Sequence, residues 1–399
     1  MPPGNETAAP AGAEHSTLYV AIEISRKSWV VGIKGLSGPR IGLHTLAAAD
    51  VAALGRLIEA GRAGAERALG RAVRVLCCYE AGYEGFWLAR WLDRALSVET
   101  VVLDPASLLV NRKAKQRKTD RIDAKKMVRA LLAHDRGDAA VLSRVRVPSV
   151  DEEDRKRLLR ERRRLVKERT ALTNAIGGVL KLHGIFDLRP RARRVQGGVA
   201  ARLAEVETAY GAPLPPRVRR EIERLAERLA LVDRQIAEVE AERNAVVRRG
   251  AALPAPHACP DGEARSAARI ATLVRLRGIG ANDATLLAHE VFYRDFRNRR
   301  EVAGWAGIAP TPWASGDVRR DQGIGRDGPG WVRAQLIQMA WRWLRFQPDS
   351  ALSRWFERRT AGAHGRMRRV MIVALARKLL IALWRFQHSG LIPTGARLA

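Results

Sequence analysis

The sequence is poor in the features that mark secreted, zinc-binding and membrane-spanning proteins. It has three cysteines, two of them adjacent at Cys77 and Cys78, and no C-x-x-C pair. Neither a disulfide framework nor a zinc site is therefore expected. No apolar run approaches the roughly 20 residues that a spanning helix needs. Residues 1–16 lack the basic and apolar regions of a signal peptide, so we expect a disordered tail and a cytoplasmic protein.

Acidic residues are also scarce relative to basic ones. The chain carries 71 lysines and arginines against 42 acids, which gives a formal net charge of +29. A charge of this size repels itself unless a partner neutralises it, and DNA or RNA is the natural partner. An anionic membrane is the competing partner, but the lack of a spanning run does not favour it. An apolar content of 47% is enough for real cores.

The organisation of the chain changes along its length. Its first part alternates strand and helix signals in the way that an α/β domain with a mixed sheet does. The predicted strands are 18–24, 28–34, 40–46, 73–79 and 98–103, and the predicted helices are 51–69, 83–95 and 119–134. We expect an α/β domain over 17–147, a helical segment over 148–252, a linker over 253–269 and a mainly helical C-terminal domain over 270–392.

Two charged, glycine-poor segments, 151–182 and 217–249, carry apolar residues at seven-residue spacing. In the second segment the seam has one polar interruption, at Arg243. This spacing favours a coiled coil, either as an antiparallel hairpin or as a dimerising element. The alternative is a pair of ordinary amphipathic helices packed on a globular core.

Four carboxylates stand where they can act together. Glu23 lies near the end of the first apolar strand, Glu80 directly follows another, and Asp120 and Asp123 lie three residues apart. Residues three apart share one face of a helix, and sites in open α/β sheets gather at the carboxyl ends of strands. Such a tetrad suits two Mg²⁺ ions about 4 Å apart, with Mn²⁺ able to substitute. The alternative is a helix start with solvated acids.

A dense run of cations surrounds the two aspartates. These residues are expected to contact phosphates, which would make binding steeply dependent on salt. They are Arg112, Lys113, Lys115, Arg117, Lys118, Arg121, Lys125 and Lys126.

Two features of the C-terminal part are typical of nucleic-acid contact. Gly278 and Gly280 stand in a turn before a predicted helix at 283–291, and such a helix-hairpin-helix can offer backbone N–H groups to a phosphate. An ordinary packing corner is an equally good interpretation. Tryptophans recur on the predicted helices that follow. We expect most of them to lie in the core and one or two to stack on bases instead.

A loop rich in proline and glycine, predicted to be irregular over 307–330, contains Ser315. Three arginines follow the serine, Arg319, Arg320 and Arg326, and we expect them to bind nucleic acid. From the residues alone Ser315 reads as a turn residue, because no histidine with triad spacing is there to activate it.

Taken together, these segments resemble the DEDD transposases of bacterial insertion sequences, the IS110 family. The segments 19–29, 79–85 and 118–124 look like the three acidic motifs of its RuvC-like nuclease domain, which has a ribonuclease-H-like fold. The segments 276–280, 305–310, 315–317 and 322–333 look like its transposase domain. Several motifs in the right order are more specific than any one of them.

The resemblance implies a set of roles. Glu23, Glu80, Asp120 and Asp123 would bind the metal, and Ser315 would be a nucleophile on DNA phosphate. The family recombines DNA under the guidance of an element-encoded structured RNA, and its coiled coil assembles multimers, here a dimer or tetramer. The implied setting is the bacterial cytoplasm, at the nucleoid when DNA is bound. Glu23 stands where the family has aspartate, which is shorter by one methylene but has the same ligand chemistry.

Two alternatives remain open at this point. A hydrolytic nuclease of the junction-resolving type would cut with the tetrad and water and leave Ser315 a structural role. A non-enzymatic scaffold would use the acids only as helix caps and counter-charges.

Overall fold

The structure is a computed structural model of the chain. It describes residues 17–36, 38–82, 85–104, 119–138, 141–188, 190, 202–203, 205–260, 262–315, 318–325, 328–362 and 365–399. The chain forms two compact units, one ending at Pro148 and the other beginning at Ser149.

The N-terminal unit is built on one mixed sheet. Its elements are β1 (Thr17–Ile24), β2 (Ser28–Lys34), β3 (Gly42–Ala47), α1 (Val51–Leu69), β4 (Arg74–Glu80), α2 (Trp87–Leu96), β5 (Glu99–Leu103) and α3 (Asp120–Asp135). Among the described residues, five strands pair in the order β3-β2-β1-β4-β5. β2 is antiparallel to both of its neighbours, whereas β4 is parallel to β1 and to β5. The predicted α/β class with a mixed sheet is confirmed.

Side chains alternate between the two faces of this sheet and fill two cores. Leu18, Val20 and Ile22 of β1 pack with α1 and α2 on one face. Tyr19 and Ala21 of β1 pack with α3 on the other. Because both faces are covered, the central strands read as continuous apolar runs, and this is why the sequence identified them.

The C-terminal unit is mainly helical, as the sequence predicts. Its elements are α4 (Val150–Arg155), α5 (Arg157–Leu182), α6 (Pro216–Ala251), α7 (Gly262–Val274), α8 (Ala281–Leu286), α9 (Arg299–Trp305), β6 (Pro310–Ser315), β7 (Val318–Ile324), α10 (Gly330–Phe346), α11 (Ala351–Thr360) and α12 (Arg366–Ser389). α7 begins inside the segment that was expected to be a linker. The segment that was expected to be an irregular loop contains the antiparallel pair β6–β7.

The two charged segments pack against each other as an antiparallel pair, α5 with α6. Their seam is apolar, with Leu172 and Ile176 on α5 facing the same cluster as Leu229 and Ile236 on α6. Arg162 near the start of α5 bonds Glu240 near the end of α6, which fixes the antiparallel direction. Heptad spacing therefore marked a buried seam within one chain. Assembly of several chains through these helices stays a prediction.

In the described part of the chain, no helix is both long enough and apolar enough to cross a membrane.

We expect Leu229→Asp to lower the free energy of unfolding by about 3 kcal/mol or more, because it puts a charge into the α5–α6 seam. Leu231→Asp, two residues along the same helix, is the matched control because its side chain is 45% exposed. Urea unfolding of both variants measures the difference. Equal losses would contradict this seam, and light scattering on the same samples reports any change of assembly.

Candidate active site

Two of the predicted acids lie side by side at the carboxyl ends of parallel strands. β1 and β4 pair in a register that sets Ile22 opposite Tyr79. The next residues along the two strands are Glu23 and Glu80, so these acids continue the same register. Alternation puts both on the face that α3 covers, since Ala21 and Cys78 pack there. Both side chains are half-buried, and both have polar partners.

α3 runs antiparallel to β1 and brings its N-terminus toward these acids. Near the start of β1, the Tyr19 hydroxyl donates a hydrogen bond of 2.7 Å to Asp135 at the end of α3. Farther along, a Cβ on Gly32 of β2 would lie 3.4 Å from the Ala124 carbonyl oxygen. Gly32 pairs with Ala21, two residues before Glu23, a rise of about 7 Å. Asp120 and Asp123 lie within about one turn, roughly 6 Å, on the N-terminal side of Ala124.

The far end of α3 is fixed by an ion-pair cluster. Arg74 of β4 bonds Asp135 at 2.8 Å and Glu99 at 2.5 Å. Burial and the hydrogen bond to Asp135 raise the pKa of Tyr19 to about 12, so this hydroxyl stays a donor at neutral pH. This anchor holds α3 in register with β1.

The first turn of α3 holds the other two predicted acids in different environments. Thr119 caps the helix, its Oγ1 accepting from the Ile122 N–H at 3.4 Å. Asp120 is exposed. Asp123 is mostly buried, and its Oδ1 accepts from Lys126 Nζ at 3.0 Å. Its Oδ2 is buried and receives no hydrogen bond from the described residues. Such an orphaned carboxylate oxygen is costly unless a donor or cation reaches it.

The four acids are a donor set that suits a hard divalent cation. As the side chains stand, however, no three acid, histidine or cysteine groups of the described chain lie close enough to share an ion. Binding would require carboxylates to rotate inward and Lys126 to leave Asp123.

The predicted phosphate-binding run is only partly described. Arg121 and Lys125 are exposed one turn apart on α3, and Arg129 continues the same row. Arg129 was not among the predicted cations, although its spacing of four residues from Lys125 places it on the same helix face. Lys126 is instead bound to Asp123. The remaining predicted cations, Arg112, Lys113, Lys115, Arg117 and Lys118, lie outside the described residues.

Ser315 is the last residue of β6, at the closed end of the β6–β7 pair. Its backbone lies opposite Val318, while Arg319 and Arg320 of β7 lie opposite Ala314 and Trp313. The expectation that Ser315 lies in an irregular loop was wrong, because it is the last paired residue of a strand in the β6–β7 hairpin. Alternation is weak in residues 310–324, and two prolines and two glycines interrupt them, so no strand pattern was visible. Arg326 lies outside the described residues.

The base of this hairpin is held by close backbone contact. Gly307 has φ of +63°, and a Cβ there would lie 3.0 Å from the Gly328 nitrogen. Only glycine allows this approach. Arg333 of α10 reaches the same place, and its Nη1 is buried without a hydrogen-bond partner among the described residues. Arg333 could not be predicted from the sequence, because the burial of its Nη1 leaves no signal in the residue pattern.

The turn at Gly278 and Gly280 is tightly packed. Gly278 has φ of +90°, and a Cβ on it would lie 2.9 Å from Phe346 Cβ. The carboxylate of Asp283, in the first turn of α8 directly after Gly280, is buried. Arg342 Nη2 donates to the same carboxylate at 2.6 Å. A phosphate at this turn would therefore compete with Asp283. Burial raises the pKa of Asp283, although Arg342 favours its charged form.

Acids at strand ends in a strongly basic chain are typical of enzymes that process nucleic acid. Comparison with known proteins agrees with this class. The family described as "Transposase IS116/IS110/IS902 family" matches residues 270–355. The chain is 41% identical over 388 residues to the putative transposase y4rJ of Sinorhizobium fredii, covering 95% of this chain and 94% of that one.

Two more distant relatives carry similar names. A probable family 20 transposase of Pseudomonas aeruginosa is 30% identical over 247 residues, covering 60% of this chain and 65% of its own. The transposase for insertion sequence element IS1111A of Coxiella burnetii is 27% identical over 232 residues, covering 58% of this chain and 56% of its own. The chain belongs to the IS116/IS110/IS902 family of transposases. The resemblance is thereby confirmed at the level of the family, and DNA is the partner that the family implies.

The close contact between β2 and α3 yields a test of the site's support. Gly32→Val should lower the free energy of unfolding by about 1–3 kcal/mol, because a Cβ there already lies 3.1 Å from Val128 Cγ2. Gly35→Val is the control, since a Cβ at Gly35 meets no atom within 4 Å. Urea unfolding compares the two. A Gly32→Val protein as stable as the control would contradict the packing of α3 on β2.

Proposed function

We propose that this transposase cuts and rejoins DNA strands of its insertion sequence with a magnesium-binding acidic tetrad and a serine nucleophile, guided by a structured RNA of the element. The observation that carries the proposal is the register of Glu23 with Glu80, beside a helix whose Asp123 has a buried oxygen with no hydrogen-bond partner among the described residues. The five-stranded mixed sheet with α3 on one face is compatible with a RuvC-like nuclease domain.

In this proposal the chain's own groups perform the strand exchange. Ser315 Oγ bonds to phosphorus while its proton passes to a base. The phosphorus–O3′ bond breaks, the leaving O3′ takes up a proton, and a 5′-phosphoserine link remains. Attack on that link by a 3′-hydroxyl restores the phosphodiester and frees the serine. Bound Mg²⁺ would supply Lewis-acid stabilisation of the phosphate oxygens and lower the pKa of a coordinated hydroxyl.

The positive charge of the chain supports the nucleic-acid partners of this proposal. The exposed row of Arg121, Lys125 and Arg129 offers three cations along one side of α3. Phosphates of DNA or of a guide RNA would neutralise such a row and release counterions. Arg333, at the base of the serine hairpin, has a buried Nη1 to which the described residues offer no acceptor, and a phosphate oxygen would satisfy it.

Covalent trapping tests the chemistry directly. Protein, Mg²⁺, end-labelled junction DNA of the element and its flanking RNA should give a labelled protein–DNA band on a denaturing gel. Ser315→Ala should abolish the band, because it removes the attacking oxygen. Asp123→Asn should reduce the band about a hundred-fold or more, because it neutralises a metal ligand at constant shape.

The same gel assay includes two control variants and can give two results that contradict the proposal. Ser389→Ala and Glu59→Gln, at exposed positions on α12 and α1, should keep the band. Free cut DNA that persists in Ser315→Ala and is lost in Asp123→Asn would instead make the protein a hydrolytic nuclease. Cleavage unaffected by Asp123→Asn would eliminate the catalytic tetrad.

Salt dependence tests the polyanion interface separately from catalysis. The affinity for DNA should fall steeply between about 50 and 200 mM salt, by about a thousand-fold if six phosphates are contacted. Replacing Arg129 with Gln should reduce the slope of log K against log salt by about one. Anisotropy titrations measure both effects, and a flat salt response would refute the interface.

A further inference from the structure

A cavity of about 590 Å³ opens within the C-terminal unit, where α5, α6, the turn at Gly278–Gly280 and α10 come together. Among the described residues that line it are four arginines and one carboxylate, that of Asp283. The arginines are Arg162, Arg163, Arg243 and Arg342. The volume is in the range of pockets that hold small organic ligands.

The positive charge of the cavity is only partly compensated. Arg162 bonds Glu240 at 2.6 Å, and Arg342 bonds Asp283 at 2.6 Å. Arg243 is buried, donates to the amide oxygens of Asn244 and Asn282, and lies 4.0 Å from the Glu240 carboxylate that Arg162 also bonds. Arg163 has its guanidinium over the Trp331 ring, 5.1 Å from the centroid. Arg162 and Arg243 thus share the single carboxylate of Glu240, and the charge that this leaves uncompensated stabilises an incoming anion.

The cavity also has an apolar, aromatic side. Trp331 and Phe346 both line it, and Phe346 is 38% exposed although it is a large apolar side chain. Planar aromatic and guanidinium surfaces are the groups on which unpaired bases stack. An inorganic anion alone would leave these rings unused, and an apolar ligand would leave the arginines without counter-charge.

We propose that this cavity binds one unpaired nucleotide of a nucleic acid strand, with the base on the Arg163–Trp331 pair and the phosphate beside Arg162 and Arg243. A base inside a duplex is stacked on both sides and cannot enter, so the site selects strands that are already open. The inference rests on the proposed function only in taking nucleic acid as the ligand. It needs neither the tetrad nor Ser315.

The chain offers a matched pair of variants for the test. Arg163→Gln removes one charge and the partner of Trp331. Arg164→Gln removes the same charge from the next residue, which does not line the cavity and pairs with Glu161 at 3.7 Å. Both arginines are exposed, so both variants should fold.

A second variant fills part of the cavity without changing the charge of the protein. Gly280 lines it, and a Cβ at this position would meet no atom within 4 Å. Its φ of −83° is one that any residue adopts. Gly280→Leu therefore adds an apolar side chain to open space without changing the charge of the protein.

Binding is measured by anisotropy with full-length protein carrying Ser315→Ala, which prevents strand transfer. The probes are a single strand of about twelve nucleotides, as DNA and as RNA of the same sequence, and a duplex of that sequence. Arg163→Gln and Gly280→Leu should each weaken single-strand binding about ten-fold and duplex binding by about two-fold or less. Arg164→Gln should weaken both by about two-fold or less.

Two outcomes of the binding titrations would overturn the proposal. One is an equal loss in Arg163→Gln and Arg164→Gln, which would indicate an unspecific basic surface. The other is unchanged single-strand binding in Gly280→Leu. A loss confined to the RNA strand or to the DNA strand supports the proposal and identifies which strand supplies the nucleotide. Photocrosslinking of 5-iodouracil in the single strand should label Trp331 or Phe346, and labels found only elsewhere would also contradict the site.

Discussion

Parallel pairing between β1 and β4 is the constraint on which the candidate active site depends. It sets Glu23 and Glu80 in one register at one edge of the sheet, from positions far apart in sequence. α3 then covers the same face, and the small residues Gly32 and Ala124 let it approach the sheet closely. A larger residue at Gly32 would lift the first turn of α3, and with it two of the four acids. The positions of the four acids thus depend on how the strands pair and on how closely α3 packs against the sheet.

The helix-cap interpretation accounts for Asp120 better than for Asp123. An acid in the first turn of a helix gains about 0.3–1 kcal/mol from the helix dipole when it is exposed, as Asp120 is. Asp123 is in the same turn, but one of its oxygens is buried without a hydrogen-bond donor among the described residues. Leaving such a group unsatisfied costs about 1–3 kcal/mol, more than the dipole returns. A cation brought to this oxygen would remove the deficit, which a capping role does not.

Much of the fold was predictable because its signals are local. Buried strands showed as apolar runs, helical segments were predicted at 51–69 and 119–134 where α1 and α3 lie, and heptads marked the α5–α6 seam. The strand pair that carries Ser315 was missed, because its stability comes from contacts such as Gly307 with Gly328 that no periodicity records. The cavity at Arg163 and Trp331 was also invisible, since it joins helices separated by long stretches of sequence. Glu23 and Glu80 were predicted from their positions at strand ends and Asp120 and Asp123 from their three-residue spacing, whereas the pairing of Asp123 with Lys126 required coordinates.

The arrangement of ion pairs decides which arginines can exchange a carboxylate for a phosphate. Arg169–Asp233 and Arg228–Glu168 link α5 to α6 at 3.6 Å with solvent-exposed partners, and such pairs contribute about 0–1 kcal/mol. Arg160 is different, because its two bonds to Glu290 neutralise a carboxylate that is only 6% exposed. Removing that arginine would leave a buried charge unpaired, at a cost of about 3–5 kcal/mol. Arg169 and Arg228 can therefore exchange their carboxylate partners for phosphates with little loss of folding free energy. Arg160 cannot, because Glu290 would be left buried and unpaired.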